Sequence, residues 1–393
     1  MQAPNLVFKN IHVYEDGQEL SHCGLAIEGN SIAYAGEMGG MSISEGAVQV
    51  DAAGWWAAPG LVDLQLNGGY GYYFSNDPAR VRDVAIRLPE MGVTAFLPTL
   101  ISEPIDSYPK KIRILQSARE GDGARVLGVH LEGPFLSREK PGAHPPSLLI
   151  DPVPEALARL QPLDAVKMVT LAPELPHGMQ AIQWFVERGV VVSIGHSQCD
   201  LPQLAQAARL GASCATHLFN AMPPLNHREP GMVAAMLTGE EYRLGLIVDG
   251  IHVHPEMVKL VWKCRGARGI MLVSDAMGAL GMPPGMYQIG EQDVVVDENS
   301  ARLRDGKLAG SILRMDDAVR NMVEFSGCTR AEAVRMASTT PMEALGLDDR
   351  YGHVKTGYQA DLVFFDEALR VQLVMIDGKT AFATPGAQAR LAD

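Results

Sequence analysis

The chain has 393 residues, of which 47% are hydrophobic and 20% charged, and it contains 40 Gly and 25 Pro. These proportions are typical of a folded, loop-rich protein and exclude a disordered or fibrous chain. The formal net charge of −13 argues against nucleic acid and anionic membranes as partners, because attraction to a polyanion requires a positive surface potential.

Cysteine usage and the first residues indicate the compartment. Five scattered cysteines form no Cys-x-x-Cys pair, so we expect reduced thiols. The opening stretch, "MQAPNLVFKNIHVYEDG", alternates apolar and polar side chains and lacks the basic and apolar regions of a signal peptide. No segment approaches the length of an apolar membrane span. We therefore expect a cytoplasmic protein.

Short predicted strands, separated by Gly, Asn and Asp turns, open and close the chain. Residues 1–55 contain "NLVFKNIHVY", "LAIEGNSIAYAGE" and "AVQVDAAGWWAAPG". Residues 350–393 return to the same pattern in "GHVKTGYQADLVFFDEALRVQLVMIDGKTAFAT". These two segments predict one small β-sandwich domain formed by both chain ends.

The middle of the chain, residues 56–349, alternates apolar runs with longer helical stretches. Eight runs end in polar residues: "GLVDLQLN", "TAFLPTL", "RVLGVHLEG", "VKMVTLAPE", "VVVSIGHS", "CATHLFN", "RLGLIVDG" and "GIMLVSDA". This pattern predicts an α/β fold, a (β/α)8 TIM-like barrel, whose reactive groups lie at the C-terminal ends of the strands. A doubly wound sheet is the alternative, but it would be expected to bring a Gly-rich phosphate turn after an early strand, and none is visible.

An insertion follows the eighth predicted strand. The stretch "GMYQIGEQDVVVDENSARLRDGKLAGS" contains short β-like pieces and turn residues, which predicts a β-hairpin insertion near residues 285–310. The next segment, "MDDAVRNMVEFSGCTRAEAVRMASTTPMEALG", has helical spacing and is expected to close the barrel.

Polar side chains that follow the predicted strands would converge at one end of the barrel. Glu132, His196 and His217 follow three different strands and offer two imidazoles and a carboxylate, the donors of a zinc-type catalytic site. A single His is more often a hydrogen-bonded structural residue, but three donors at strand ends favour a metal site. The other residues at strand ends are Gln65, Asn67, Glu174, Asp249, His252 and Asp275.

Asp275 ends the eighth predicted strand in "LVSDAMG". A carboxylate at this position can accept a proton from a metal-activated water and later return it to a leaving amine. The alternative is a helix N-cap, which is common for Asp before a turn. The nearby metal donors favour the role of general base.

Ten motifs lie between about residue 55 and residue 345. The most specific are "HLEGP" and "THLFNAMP", and the others are "PGLVDLQLNGGYG", "KPGAHPP", "VTLAPE", "SIGHS", "NHREPG", "VDGIHV", "VSDA" and "LAGS". Together they resemble the motifs of the N-acetylglucosamine-6-phosphate deacetylases, a family of the amidohydrolase superfamily.

The resemblance implies hydrolysis of the acetamide of N-acetylglucosamine 6-phosphate to glucosamine 6-phosphate and acetate. Some members of the family carry His-x-His on the first strand and hold two metals, whereas others carry Gln-x-Asn and function with one. Gln65 and Asn67 match the second kind. We therefore expect one divalent ion per subunit, held by Glu132, His196 and His217, with zinc favoured and Fe, Co or Mn left open.

The resemblance also implies a substrate site. His144 would approach and polarise the acyl carbonyl. Arg228 and His252 would bind the phosphate group of the substrate that is held in the neighbouring subunit of a homodimer. The expected substrate-binding residues are Gln65, Asn67, Ala143, His144, Asn220, Ala221, Arg228, His252, Leu308, Ala309 and Gly310.

Rival functions stay open at this point. One is another amidohydrolase, such as an N-acetylgalactosamine-6-phosphate deacetylase or an N-acyl amino acid hydrolase, because nothing in the sequence decides the configuration at C4 of the sugar. The Met- and Gly-rich stretch "SDAMGALGMPPGMY" leaves substrate breadth open as well. A non-catalytic sugar-phosphate sensor is disfavoured, because the base and the three ligands are all present and no basic helix-turn-helix is visible.

Overall fold

The computed structural model describes residues 6–43, 45–290 and 292–392. In chain order the strands are β1 (Leu6–Glu15), β2 (Gln18–Glu28), β3 (Ser31–Glu37), β4 (Val48–Asp51), β5 (Trp56–Pro59), β6 (Leu61–Leu66), β7 (Gly68–Gly69), β8 (Tyr72–Tyr73), β9 (Val93–Leu100), β10 (Arg125–Val126), β11 (Val129–Glu132), β12 (Val166–Leu171), β13 (Val191–Ile194), β14 (Cys214–Ala215), β15 (Arg243–Leu246), β16 (Ile270–Leu272), β17 (Gly285–Ile289), β18 (Gln292–Val296), β19 (Ala301–Leu303), β20 (Leu362–Phe365), β21 (Val371–Ile376) and β22 (Lys379–Ala383). The α-helices are α1 (Val81–Arg87), α2 (Tyr108–Ser117), α3 (Pro154–Arg159), α4 (Gly178–Val186), α5 (Leu201–Arg209), α6 (Gly231–Thr238), α7 (Pro255–Arg265), α8 (Met315–Ser326), α9 (Arg330–Ala337), α10 (Thr339–Leu345) and α11 (Pro385–Ala392).

Eight parallel strands form the central barrel: β6, β9, β11, β12, β13, β14, β15 and β16, neighbours in that order. Every residue of β6 and β9 is buried, which explains why these strands appear in the sequence as continuous apolar runs. The ring closes where the N–H of Asp275 donates to the carbonyl oxygen of Gln65 at 2.9 Å and Leu66 bridges Ala276. The predicted (β/α)8 barrel is confirmed.

The two chain ends meet in a second sheet, as predicted. Its order is β22-β21-β20-β5-β1-β2-β3, and β4 also pairs with β1. A bridge between Ser31 and Gln359 links β3 to the segment before β20, so the sheet is one continuous, curled layer. Its core includes Phe8 and Phe364, whose ring centroids lie 4.7 Å apart. β5 belongs to this sheet, and the domain boundaries drawn at residues 55/56 and 349/350 stay predictions.

The insertion after the eighth barrel strand contains one strand more than the predicted hairpin. β17, β18 and β19 form a three-stranded antiparallel sheet, and Leu308 bridges Arg302 just after it. The side chain of Gln292 donates to the carbonyl oxygen of Ala143 at 2.6 Å, which connects the insertion to the loop that follows β11. Within the described ranges, no helix is long and apolar enough to cross a membrane.

Candidate active site

Glu132, His196 and His217 converge at the C-terminal end of the barrel. Nε2 of each histidine lies 3.1–3.2 Å from Oε1 of Glu132, and the two Nε2 atoms are 3.1 Å apart. All three side chains are buried. Although burial raises the pKa of Glu132, the rings of His196 and His217 hold that pKa well below its usual value, so the carboxyl group is an anion.

This donor set fits a divalent cation. Nδ1 of His196 lies 2.9 Å from the carbonyl oxygen of Lys140, which can only accept, so Nδ1 carries a ring proton and Nε2 is the nitrogen available to a metal. Ligand atoms at about 2.0–2.2 Å from a tetrahedral ion are separated by roughly 3.3–3.5 Å, close to the distances found among the three donors. Without a cation, the lone pair of His196 would face the anionic carboxylate.

Three site residues adopt the left-handed backbone conformation. The φ angles of His196, His217 and Asp275 are 48°, 28° and 49°. Such residues cost roughly 1–3 kcal/mol each and persist only where the surrounding structure requires them. Each lies just beyond a barrel strand, where the strained turn directs the side chain over the barrel mouth.

The amides of Gln65 and Asn67 occupy the places of the His-x-His pair. Nε2 of Gln65 donates to Glu132 and to Asp275, both at 3.1 Å, and Nδ2 of Asn67 donates to Asp275 at 2.7 Å. An amide nitrogen that donates to a carboxylate has no lone pair for a metal. These contacts orient the two acids.

Asp275 lies half-buried beside this cluster. Burial, followed by the negative charge of Glu132, raises the pKa of Asp275 to about 7. Its Oδ1 accepts the two amide hydrogen bonds, so its second oxygen is available for proton transfer. A carboxyl group with a pKa near neutrality is suited to both steps of acid–base catalysis.

The backbone of a neighbouring loop orients His144. The backbone N–H of Ser102 donates to Nδ1 of His144 at 3.2 Å, and the Ser102 hydroxyl lies 2.8 Å from the same atom. Because Nδ1 accepts, the ring proton is on Nε2, which lies 3.9 Å from Oε1 of Glu132. Burial, and next the nearby His196, lower the pKa of His144 to about 3, so the ring is a neutral hydrogen-bond donor.

The cluster opens into a pocket that contains about 670 Å³ of space free of protein atoms, including open solvent at its mouth. Of the expected site residues, the pocket is lined by Asn67, Glu132, Ala143, His144, His196, His217, Asn220, Ala221, His252, Asp275, Leu308 and Gly310.

Three expected substrate-binding residues do not line the pocket. The Gln65 amide nitrogen is occupied by the two carboxylates, and Ala309 is fully buried in an apolar cluster. Arg228 is exposed on the loop after β14 and lies outside the lining. In contrast, His252 lines the pocket of its own chain, with Nδ1 2.6 Å from Asp249. That His252 serves the neighbouring subunit stays a prediction.

Other lining residues were missed by the sequence analysis: Tyr73, Ile101, Gly142 and Ile289. Ile101 directly follows β9, so its position at a strand end was an available signal. Gly142, with φ 56°, lies where a Cβ atom would approach Cε1 of His196 to 2.8 Å. Only glycine fits that close approach.

A chain of hydrogen bonds lies inside the barrel beneath the metal donors. Ser193 contacts Thr216 at 2.6 Å, Thr216 contacts Thr170 at 2.7 Å, and Thr170 contacts Nε2 of His130 at 2.8 Å. Nδ1 of His130 lies 3.0 Å from the carbonyl oxygen of Leu64, which can only accept. His130 must therefore accept from Thr170, and each hydroxyl in turn donates towards His130.

The closed parallel barrel, the two-histidine, one-carboxylate cluster and the half-buried Asp275 together define a metal-dependent hydrolase. The model of the amidohydrolase family matches residues 56–381. The chain belongs to the amidohydrolase family.

Its relatives are amino-sugar phosphate deacetylases. An N-acetylglucosamine-6-phosphate deacetylase from Danio rerio is 41% identical over 346 residues, covering 84% of this chain and 85% of the relative. An N-acetylgalactosamine-6-phosphate deacetylase from Escherichia coli O157:H7 is 40% identical over 331 residues, covering 82% and 87%. A mutant N-acetyl-D-glucosamine-6-phosphate deacetylase from Mycobacterium smegmatis, solved in complex with N-acetyl-D-glucosamine-6-phosphate, has a TM-score of 0.88 and 32% identity, covering 97% of this chain and 100% of that chain.

Proposed function

We propose that this protein hydrolyses the acetamide of N-acetylglucosamine 6-phosphate, releasing glucosamine 6-phosphate and acetate. The observation that carries the proposal is the meeting of three kinds of group around one pocket. These are the metal donors Glu132, His196 and His217, the carboxyl group of Asp275 and the neutral donor His144. Hydrolysis of an amide needs an activated water, a base for its proton and a donor for the carbonyl oxygen.

The chain's own residues carry the proton transfers. A divalent ion held by the cluster supplies a lowered pKa for the attacking water and polarisation of the acyl carbonyl. Asp275 accepts the proton of the water as its oxygen bonds to the carbonyl carbon, while Nε2–H of His144 donates to the carbonyl oxygen. Asp275 then returns the proton to the nitrogen as the C–N bond breaks, so the amine leaves and acetate remains.

One metal ion per subunit is part of the proposal, with zinc favoured. The amide nitrogens of Gln65 and Asn67 donate to carboxylates, so the first barrel strand offers no imidazole to a second ion. The remaining set of two nitrogens and one carboxylate leaves a fourth position for water, as in catalytic zinc sites. Iron, cobalt and manganese also accept these donors.

The phosphate group of the substrate requires cationic side chains, and this chain has fewer Lys and Arg residues than Asp and Glu residues. His252 lines the pocket, and Asp249 holds its Nδ1, which leaves Nε2 for the ligand. We assign Arg228 to the pocket of a neighbouring subunit in a homodimer, because it is exposed and outside its own pocket. A guanidinium group suits a phosphate, to which it donates two parallel hydrogen bonds.

A second candidate substrate is N-acetylgalactosamine 6-phosphate. It is favoured by the 40% identity to the relative from Escherichia coli O157:H7 that is named for it. The two sugars differ only at C4, so the same metal, base and acyl contacts serve both. The cytoplasmic location expected from the sequence stays a prediction.

Acetate release tests the function directly. Purified protein loaded with zinc is incubated with N-acetylglucosamine 6-phosphate, its galacto epimer and unphosphorylated N-acetylglucosamine. We expect release from the gluco 6-phosphate at the highest kcat/KM and little from the unphosphorylated sugar. Faster turnover of the galacto epimer would assign the second substrate, and no acetate from any of them would refute deacetylation.

A further inference from the structure

Tyr73 reaches the candidate active site by a reversal of the chain immediately after the first barrel strand. β7 and β8 form a two-stranded antiparallel pair in which Tyr73 lies opposite Gly68. The N–H of Phe74 donates to the carbonyl oxygen of Asn67 at 2.9 Å, which holds this turn against the site. Tyr73 is only 4% exposed, and it lines the same pocket as Glu132 and Asp275.

The Tyr73 hydroxyl is buried and has no hydrogen-bond partner among the described residues. Ser75 lowers the pKa of Tyr73, and the Ser75 hydroxyl accepts the N–H of Ile101. Burial, and next the charges of Glu132 and Asp275, raise the pKa of Tyr73 well above its usual value, so the hydroxyl is a neutral donor. Buried tyrosines normally find a hydrogen-bond partner, and a buried hydroxyl without one is unfavourable.

The surroundings of Tyr73 are apolar. Tyr73 belongs to one cluster with Ile101, Met277, Ile289 and the fully buried Ala309. Two of these residues, Ile101 and Ile289, also line the pocket. This part of the pocket therefore offers apolar surface and one unused donor, which suits a short acyl chain with a single carbonyl acceptor.

Strand order separates this wall from the polar end of the pocket. Ile101 follows β9, the second barrel strand, and His144 follows β11, the third. Asn220 follows β14, the sixth strand, and His252 follows β15, the seventh. In a closed ring of eight strands, the second and third lie opposite the sixth and seventh. A ligand with its polar end at Asn220 and His252 directs its other end towards Ile101.

We propose that Tyr73, Ile101 and Ile289 form the acyl subsite and that the Tyr73 hydroxyl donates to the acyl carbonyl oxygen of the bound substrate. The inference rests on the proposed deacetylation and adds a substrate-contacting donor beside His144. A carbonyl oxygen has two lone pairs and becomes more negative as water attacks, so this hydrogen bond strengthens towards the transition state. The apolar residues set the length of acyl chain that the pocket accepts.

The experiment compares Tyr73→Phe with the matched control Tyr72→Phe. Tyr72 is the adjacent residue, half-buried, and its hydroxyl accepts from Arg80 outside the pocket. For zinc-loaded Tyr73→Phe we expect kcat/KM for N-acetylglucosamine 6-phosphate to fall about tenfold or more, mainly in kcat, with an unchanged or higher unfolding midpoint. Tyr72→Phe should match wild type in kcat/KM.

A second arm tests the acyl location. Ile101→Ala, or the milder Ile101→Val, should raise the ratio of kcat/KM for the N-propionyl analogue to that for the N-acetyl substrate, by roughly tenfold for Ala. An unchanged ratio in both variants would overturn the acyl subsite. A Tyr73→Phe protein that is less stable but retains wild-type kcat/KM would make the hydroxyl structural and overturn its substrate contact. Absence of acetate release by wild type would overturn the proposed function as well, whereas the other outcomes leave it intact.

Discussion

Asp275→Asn separates proton transfer from every other property of the site. Oδ1 of Asp275 accepts from Asn67 at 2.7 Å and from Gln65 at 3.1 Å, and the amide oxygen of Asn can accept both bonds. The new NH₂ group takes the place of the oxygen that accepts the proton. We therefore expect an unchanged fold, metal content and substrate affinity, because the three metal donors are untouched and Asn has nearly the same shape as Asp.

The expected loss is that of a positioned general base, about 10²–10⁴-fold in kcat. It corresponds to roughly 2.7–5.4 kcal/mol of activation free energy, at 1.36 kcal/mol per factor of ten. The free energy of unfolding should not fall, since the raised pKa of about 7 means that burial disfavours the charged carboxylate. A large kinetic loss without a loss of stability is the signature of a catalytic role.

The assay measures acetate release at saturating N-acetylglucosamine 6-phosphate, zinc content by elemental analysis and the urea unfolding midpoint. Asp63→Asn is the matched control. Asp63 is a buried carboxyl group whose pKa burial raises to about 6, but it accepts from the Ser274 hydroxyl and does not line the pocket. We expect the control to retain kcat within a few-fold. If zinc-loaded Asp275→Asn also retained kcat within a few-fold of wild type, Asp275 would not be the base.

The remaining predictions concern pH, metal content, assembly and the barrel interior. Only ionised Asp275 accepts a proton, so kcat/KM should rise with pH through the pKa of Asp275. A bound dication lowers that pKa from about 7. In Asp275→Asn, the rise of kcat/KM with pH should be absent. Elemental analysis should find one tightly held divalent ion per chain, and two stoichiometric ions would contradict the one-metal proposal. Arg228→Ala and Asp275→Asn, unfolded, mixed and refolded together, should recover roughly a quarter of wild-type activity if Arg228 serves the partner, and no recovery despite mixed dimers in the mass spectrum would exclude a shared site. Thr170→Val should lower the free energy of unfolding by about 1–3 kcal/mol in urea titrations, more than Thr238→Val on the exposed face of α6; an equal effect would show that the buried hydrogen bond adds nothing.

The barrel and its strand-end residues were predictable for a physical reason. Parallel strands buried on both faces appear as apolar runs, and their C-terminal ends meet at one edge. The sequence alone therefore predicts the convergence of Glu132, His196, His217 and Asp275. The motif "NHREPG" predicted that Arg228 would bind phosphate, but no local pattern tells whether an exposed loop serves its own pocket or another.

The entry of Tyr73 into the pocket and the orientation of His144 were not predictable from the sequence pattern. Tyr73 enters the pocket because β7 and β8 reverse the chain within a few residues, and Ser102 orients His144 across a separation of 42 residues. Gln65 illustrates the converse case. Its place at a strand end and a role in substrate binding were predicted. Its amide nitrogen donates to two carboxylates, because other barrel strands place Glu132 and Asp275 next to it.

The hydrogen-bond chain from Ser193 to His130 has a consequence for how the protein acquires its metal. Its members lie close in sequence to the donors above them: His130 precedes Glu132 by two residues and Thr216 directly precedes His217. Every hydroxyl proton in this hydrogen-bond chain has one acceptor. The hydrogen bonds therefore connect β11, β12, β13 and β14 to each other without a metal ion. The site is thus preorganised in the apoprotein, and metal capture should resemble the filling of a rigid chelator, with little ordering entropy to oppose it.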